Sequence, residues 1–353
     1  MRSFWRIAGG ILILGLPVLL LFFFLQDRSD ADGHIEVKID QDQPGGGKFT
    51  RLMLDGVDYG RNYLKPDPKD PRPDRSRLAT TYYHQKSPLG MVLQQFDWFG
   101  EWNTPNRYGS DARLPASLLG LSAPVAGHVI PAPLLSGLWS EPAIGVVGLG
   151  CGTVASYARP YQHVHFYERN PAIAKLSLPP PGETPKFHFV ADALKRGALV
   201  QVFAGEERET LAKQGPDNFY HVLVVETARA HPDRPVVKRL SREAMQLYVQ
   251  RLAPGGIICY HTSSRNFDLA PLLGDIAKDL GMVSLAGKVE PKQEKGDRPL
   301  YFSEWLLVAR RDEDLARVKD RKGPDLTWSN PVLSGKLVMT DANPRMIREA
   351  RRR

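Results

Sequence analysis

Three glycines, Gly148, Gly150 and Gly152, stand at alternate positions after the apolar run Ile144 to Val147. A second apolar run, His163 to Tyr167, stops on the acid Glu168. Glycines so spaced let the main chain turn sharply and approach a ligand closely. A carboxylate about twenty residues beyond the first glycine is placed to accept hydrogen bonds from a ribose diol. Two more apolar stretches end on acids: KFHFVAD on Asp192 and YHVLVVE on Glu226. Distinct work is expected of each acid. Glu168 would hold ribose hydroxyls, and Asp192 would accept from an adenine exocyclic amine beside the backbone amide of Ala193. Glu226 would face the reacting centre, steadying a cationic charge or removing a proton. A single acid can end a strand simply because loops are solvated; three behind a glycine turn describe one edge.

The elements that must carry these residues are apolar strands alternating with amphipathic helices. Gly256 to Thr262 adds another strand after the turn Pro254-Gly255-Gly256. Ser241 reads as the N-cap of a helix running to Leu252, with Ala244, Leu247, Tyr248 and Leu252 along one face. Asp268 to Leu280 reads as a second such helix. This alternation predicts an α/β domain with a mainly parallel sheet covered on both sides, with ligands beyond the carboxyl ends of its strands. Ahead of it, His34 to Ile39 and Phe49 to Leu54 flank the turn Pro44 to Gly47, and Asp55-Gly56 leads into Val57-Asp58-Tyr59 as a hairpin. That predicts a small antiparallel sheet. Lys65 to Arg77 holds four prolines and no apolar residue, so it reads as an exposed loop. Thr80 to Phe96 reads as strand-like, and a helix is expected near Leu114–Leu119.

The chain of 353 residues has room for one large or two medium domains with extensions. Its net charge of +8 is scattered rather than interleaved with aromatics, so no nucleic-acid partner is expected. Only Cys151 and Cys259 occur, both in apolar or glycine-rich surroundings, which argues against a disulfide framework or a thiolate metal site. A nucleophile elbow and clustered metal ligands are both missing from the sequence pattern, and no metal is expected. The apolar run Ile7 to Leu25 is about long enough to cross a bilayer core and has no clear cleavage site after it. A retained single-pass anchor is expected. Arg2 and Arg6 before it favour an exported main domain, where little adenosyl cofactor is met, so the side of the membrane stays open.

Several pieces, in order, resemble the spermidine synthase (polyamine aminopropyltransferase) family, especially its membrane-associated and transporter-fused relatives. They are Arg51 to Gly56 (RLMLDG), Tyr83-His84-Gln85, Gly148 to Thr153 (GLGCGT), Ala191-Asp192-Ala193, Leu240 to Ala244 with Leu252 to Gly256, Ser264 to Leu269, and Ser303-Glu304-Trp305. The resemblance covers about residues 45 to 310. It implies a methyltransferase-like Rossmann domain (111–312) behind a small β-domain (34–110), with the anchor at 1–33 and a basic-tailed extension at 313–353. It also implies S-adenosylmethionine or its decarboxylated form as co-substrate, and an amine or other small molecule as acceptor. A homodimer is compatible with it. Glu226 and Tyr83 would then be catalytic, with His84, Gln85 and Arg229 on the acceptor side.

The departures fall on that acceptor side. The family's Asp-x-x-Asp pair is Glu226-Thr227-Ala228-Arg229 here, and its third acid is the neutral Gln85. Arg229 stays protonated. Facing a diammonium acceptor at roughly 4 Å, it would cost on the order of a few kcal/mol; pointing outward, it would be an ordinary loop residue. Three readings follow: aminopropyl transfer, methyl transfer on the same fold, or a membrane-tethered module that binds without catalysis.

Overall fold

A computed structural model describes residues 34–42, 47–66, 75–95, 142–227, 237–264, 266–291, 300–323 and 325–351. The expected anchor, the helix near Leu114–Leu119, most of the turn at Pro44 and the acceptor-side Arg229 lie outside them. Among the described residues, no helix is long and apolar enough to cross a membrane.

The small sheet forms as its turn chemistry requires. β1 (Ile35–Gln41), β2 (Lys48–Leu54) and β3 (Val57–Tyr63) pair antiparallel in that order. Asp55 and Gly56 both take positive φ, 49° and 75°, the geometry that lets a two-residue turn match the strand twist.

Eight strands make the main sheet: β4 (Ala143–Val147), β5 (His163–Glu168), β6 (Leu199–Ala204), β7 (Tyr220–Glu226), β8 (Leu252–His261), β9 (Val283–Val289), β10 (Ser303–Ala309) and β11 (Leu326–Ser329). Across the sheet they run β6-β5-β4-β7-β8-β10-β9-β11. The first five are parallel; β10, β9 and β11 add antiparallel. Side chains alternate between two cores. On β7, Val222 and Val224 enter one, while Leu223 and Val225 enter the other. The first core is closed by α1 (Pro88–Gln95), α2 (Pro171–Ser177), α3 (Phe189–Lys195) and α7 (Asp312–Lys319), with Leu52 and Leu54 of the small sheet. The second is closed by α4 (Glu207–Gln214), α5 (Arg242–Arg251) and α6 (Leu269–Asp279). A parallel sheet needs such cover on both faces.

Two expected strands are corrected. Lys186 to Asp192 is not a strand: Phe189, Val190 and Ala193 are buried at helical spacing, and they lie on α3. The third parallel strand is instead β6, whose residues are only half buried because it is the sheet's edge. Among the described residues of the stretch Thr80 to Phe96, only Thr81 makes a β-bridge, to Leu300. Ser87 then accepts from the Gly90 amide at 3.1 Å, Pro88 opens α1, and Leu89, Val92 and Leu93 bury one helical stripe.

Candidate functional site at the carboxyl edge of the sheet

From β4 the chain steps outward through β5 and β6, then returns to place β7 and β8 on the other side of β4. The crevice between the tips of β4 and β7 is therefore the topological switch point, where ligands of such sheets sit. The glycine turn forms its rim. Gly148, Gly150 and Gly152 have φ of 98°, 54° and 73°, a region that favours glycine. A Cβ on Gly148 would lie 3.2 Å from both Arg239 Nη1 and Glu226 Cβ, and one on Gly152 would lie 2.9 Å from Val190 Cγ2. A Cβ on Gly150 would lie 3.3 Å from the Tyr59 ring of β3.

Glu168 ends β5 with its side chain buried. Its Oε2 accepts from the Leu149 amide at 2.8 Å and its Oε1 from the Asn170 amide at 2.9 Å. The carboxylate thus fixes the glycine turn and still keeps a lone pair on each oxygen for a ligand. Burial pushes its pKa up, against the downward pull of those two amides and of Arg239.

Asp192 does not end a strand. It lies on α3 with Ala193, both buried, and its Oδ1 is 4.0 Å from Lys65 Nζ. Its expected place beside an adenine depended on that strand. The acids that follow the third strand are Glu206 and Glu207, after Gly205. Glu207 is buried and pairs with Arg239 Nη2 at 2.6 Å; Glu206 is partly exposed between Arg169 and Lys238.

Glu226 is the centre of a buried cluster. Tyr83 Oη donates to its Oε1 at 2.5 Å, and His261 Nδ1 lies 3.0 Å from its Oε2. With the carboxylate ionised, His261 carries its proton on Nδ1. Strand register explains the meeting, since Glu226 pairs with His261 across β7 and β8, and His261 pairs with Trp305 across β8 and β10. The imidazole stacks on the Trp305 indole at 4.5 Å, with Tyr82 tilted against it at 5.1 Å. Tyr157 donates to the Tyr83 carbonyl and so fixes that segment from the glycine-turn side.

Of the other expected residues, His84 is buried and accepts from the Lys86 amide at 3.1 Å, while Gln85 is exposed. The structure brings Tyr83, Glu168, Glu226 and the three glycines to one edge, and puts Asp192 and Ala193 on α3 rather than at a strand end. Sequence reasoning missed Arg239, Glu207 and His261. Each sits next to a strand tip, but a histidine in an apolar run reads as core, and Arg239 precedes a helix in a segment with no apolar period.

The five parallel strands with β10 inserted between β8 and β9 define the class: a methyltransferase-like Rossmann fold, carrying a small antiparallel sheet in front. No protein-family model matches the chain. No curated protein matches it either. Among solved structures it is similar to a probable spermidine synthase from Corynebacterium glutamicum, at 14% identity and TM-score 0.43, over 84% of this chain and 88% of that one. Spermidine synthase from Thermotoga maritima aligns at 11% identity and TM-score 0.39, over 87% and 84%. Human methyltransferase-like protein 13 in complex with SAH aligns at 16% identity and TM-score 0.33, over 55% and 89%. The fold stands on the strand order rather than on these likenesses.

Proposed function

We propose that the chain is a transferase that binds an S-adenosylmethionine-type donor in the β4–β7 crevice and moves an alkyl group from it to a small amine. The observation that carries this reading is the Tyr83–Glu226–His261 cluster lying beside a cradle of positive-φ glycines. The residues suit the donor: the cradle excludes side chains, Glu168 has acceptor capacity left for a ribose, and Glu206, just after the third strand, stands where a base edge would be met. When bound, the donor supplies an electrophilic carbon on a sulfonium and a neutral thioether leaving group.

The chain's own residues do the rest. Glu226 receives the proton that the amine loses as its nitrogen lone pair forms the new N–C bond. Tyr83 and His261 hold the carboxylate in one orientation, so no reorganisation is needed at that moment. The aromatic rings of Tyr82 and Trp305 close the cluster against water. Two forms of the reaction share this machinery: aminopropyl transfer from the decarboxylated donor, and methyl transfer from the intact one. They differ in whether the donor carries a carboxylate. Membrane attachment through Ile7 to Leu25 and the side on which the domain lies remain proposals of the sequence alone.

Calorimetric titration of the full chain with S-adenosylhomocysteine tests the reading. Binding is expected and is to be lost in Glu168→Ala. Glu226→Gln is expected to bind as before while turnover with an amine acceptor falls at least about a hundredfold. Absence of binding to any adenosyl compound would overturn it and leave a module without this chemistry.

A further inference from the structure

The buried cation at the switch point has work left to do. Arg239 ends the short helical turn Val237–Arg239, is 6% exposed, and lies against the glycine cradle. Nη1 donates to the Glu226 carbonyl at 2.6 Å and Nη2 to Glu207 Oε1 at 2.6 Å. A guanidinium has five N–H donors in a fixed fork. Nε is buried with no hydrogen-bond partner. A buried donor without an acceptor is costly unless a ligand or water meets it.

We propose that Arg239 selects the donor, its guanidinium receiving the carboxylate of an intact S-adenosylmethionine-type amino-acid tail. This rests on the adenosyl-donor reading above and decides between its two forms. The geometry supports it twice. The fork sits between the rim that would cradle the donor and the Glu226 cluster where transfer occurs, which is where the tail beyond sulfur must pass. The unmet donor also discriminates. Glu207 already balances the guanidinium charge, and a decarboxylated tail brings only an ammonium, which offers the buried Nε–H no acceptor. An intact tail adds a carboxylate oxygen that can accept from it. The transferred group is then the methyl group or the carboxylate-bearing chain rather than an aminopropyl chain.

Titration of the full chain with S-adenosylmethionine, its decarboxylated form and 5′-methylthioadenosine, which has no tail, tests this without any substitution. The intact donor is expected to bind on the order of ten- to a hundredfold tighter than the decarboxylated one. Arg239→Gln alone would strand the buried Glu207 carboxylate, so it is paired with Glu207→Gln. The double variant should bind methylthioadenosine as the native chain does and lose the preference, and Arg239→Lys should keep part of it. If methylthioadenosine binds while the two donors bind equally, or the decarboxylated one binds better, the inference is overturned and the adenosyl reading survives. If none of the three binds, both fall.

Discussion

Single residues at the strand tips differ in what they tolerate, and the glycines show why. Gly152 combines φ of 73° with a crowded Cβ position, whereas Gly182 has φ of 92° and open space around it. Gly152→Ala is expected to cost about 2–4 kcal/mol, strain and clash together, against about 1 kcal/mol for Gly182→Ala. Urea unfolding of the two variants checks the contrast. Titrating groups pull stability in opposite directions. Burial, then His163, lowers His165 to about 4. The unfolded chain therefore binds the extra proton first, and stability is lost as pH falls from about 6.5 to about 4. Glu168 does the reverse. Its folded pKa is raised above the ordinary 4.5, so the stability it contributes is present below that value and lost as pH rises through the raised one. Unfolding midpoints across this range should keep a shallower acid slope in His165→Gln and a steeper one in Glu168→Gln. Identical slopes in both variants and the native chain would refute the assignment.

Elements were legible where a local pattern and the tertiary environment agree. The Asp55-Gly56 hairpin, the apolar β7 and the Ser241 cap, which accepts from Ala244 N at 3.1 Å, follow from short-range chemistry alone. β6 was not legible, because an edge strand is half solvated and its apolar signal is thin. The Phe187–Phe189 alternation imitated a strand in a segment that folds as α3. β10 is a short buried run, which periodicity cannot separate from a buried helix. Of the site, the glycine turn and the acids ending β5 and β7 were visible. The Glu226–His261 pairing was not, since it exists only through strand register. Elements also depend on distant straps. Asp275 on α6 accepts from the amides of Gly335, Lys336 and Leu337 at 2.9, 3.2 and 2.9 Å, and from the Ser334 hydroxyl. Those bonds hold its pKa below the usual carboxylate value despite burial. Asp275→Ala should cost about 2–4 kcal/mol by leaving the Gly335 and Leu337 amides without their acceptor. Limited proteolysis should then cut within residues 331–339 faster than in the native chain.

At the scale of the molecule, the two sheets are joined through charged and aromatic side chains as well as apolar ones. Arg61 of β3 reaches Asp42 at 3.1 Å and the Tyr301 hydroxyl at 2.7 Å; Tyr301 in turn donates to Asp58 at 3.0 Å. The Tyr301 amide lies against the Thr81 carbonyl, and Thr81 bridges Leu300. Tyr83, which holds Glu226, stands two residues from that junction. During translation the strands up to β8 can pair before residue 300 has left the ribosome, yet the segment bearing Tyr83 still lacks its clasp. A nascent chain halted short of that point would hold most of its sheet with the Tyr83 segment still unclasped, so the Tyr83–Glu226 contact is secured only once residues 300 and 301 have emerged.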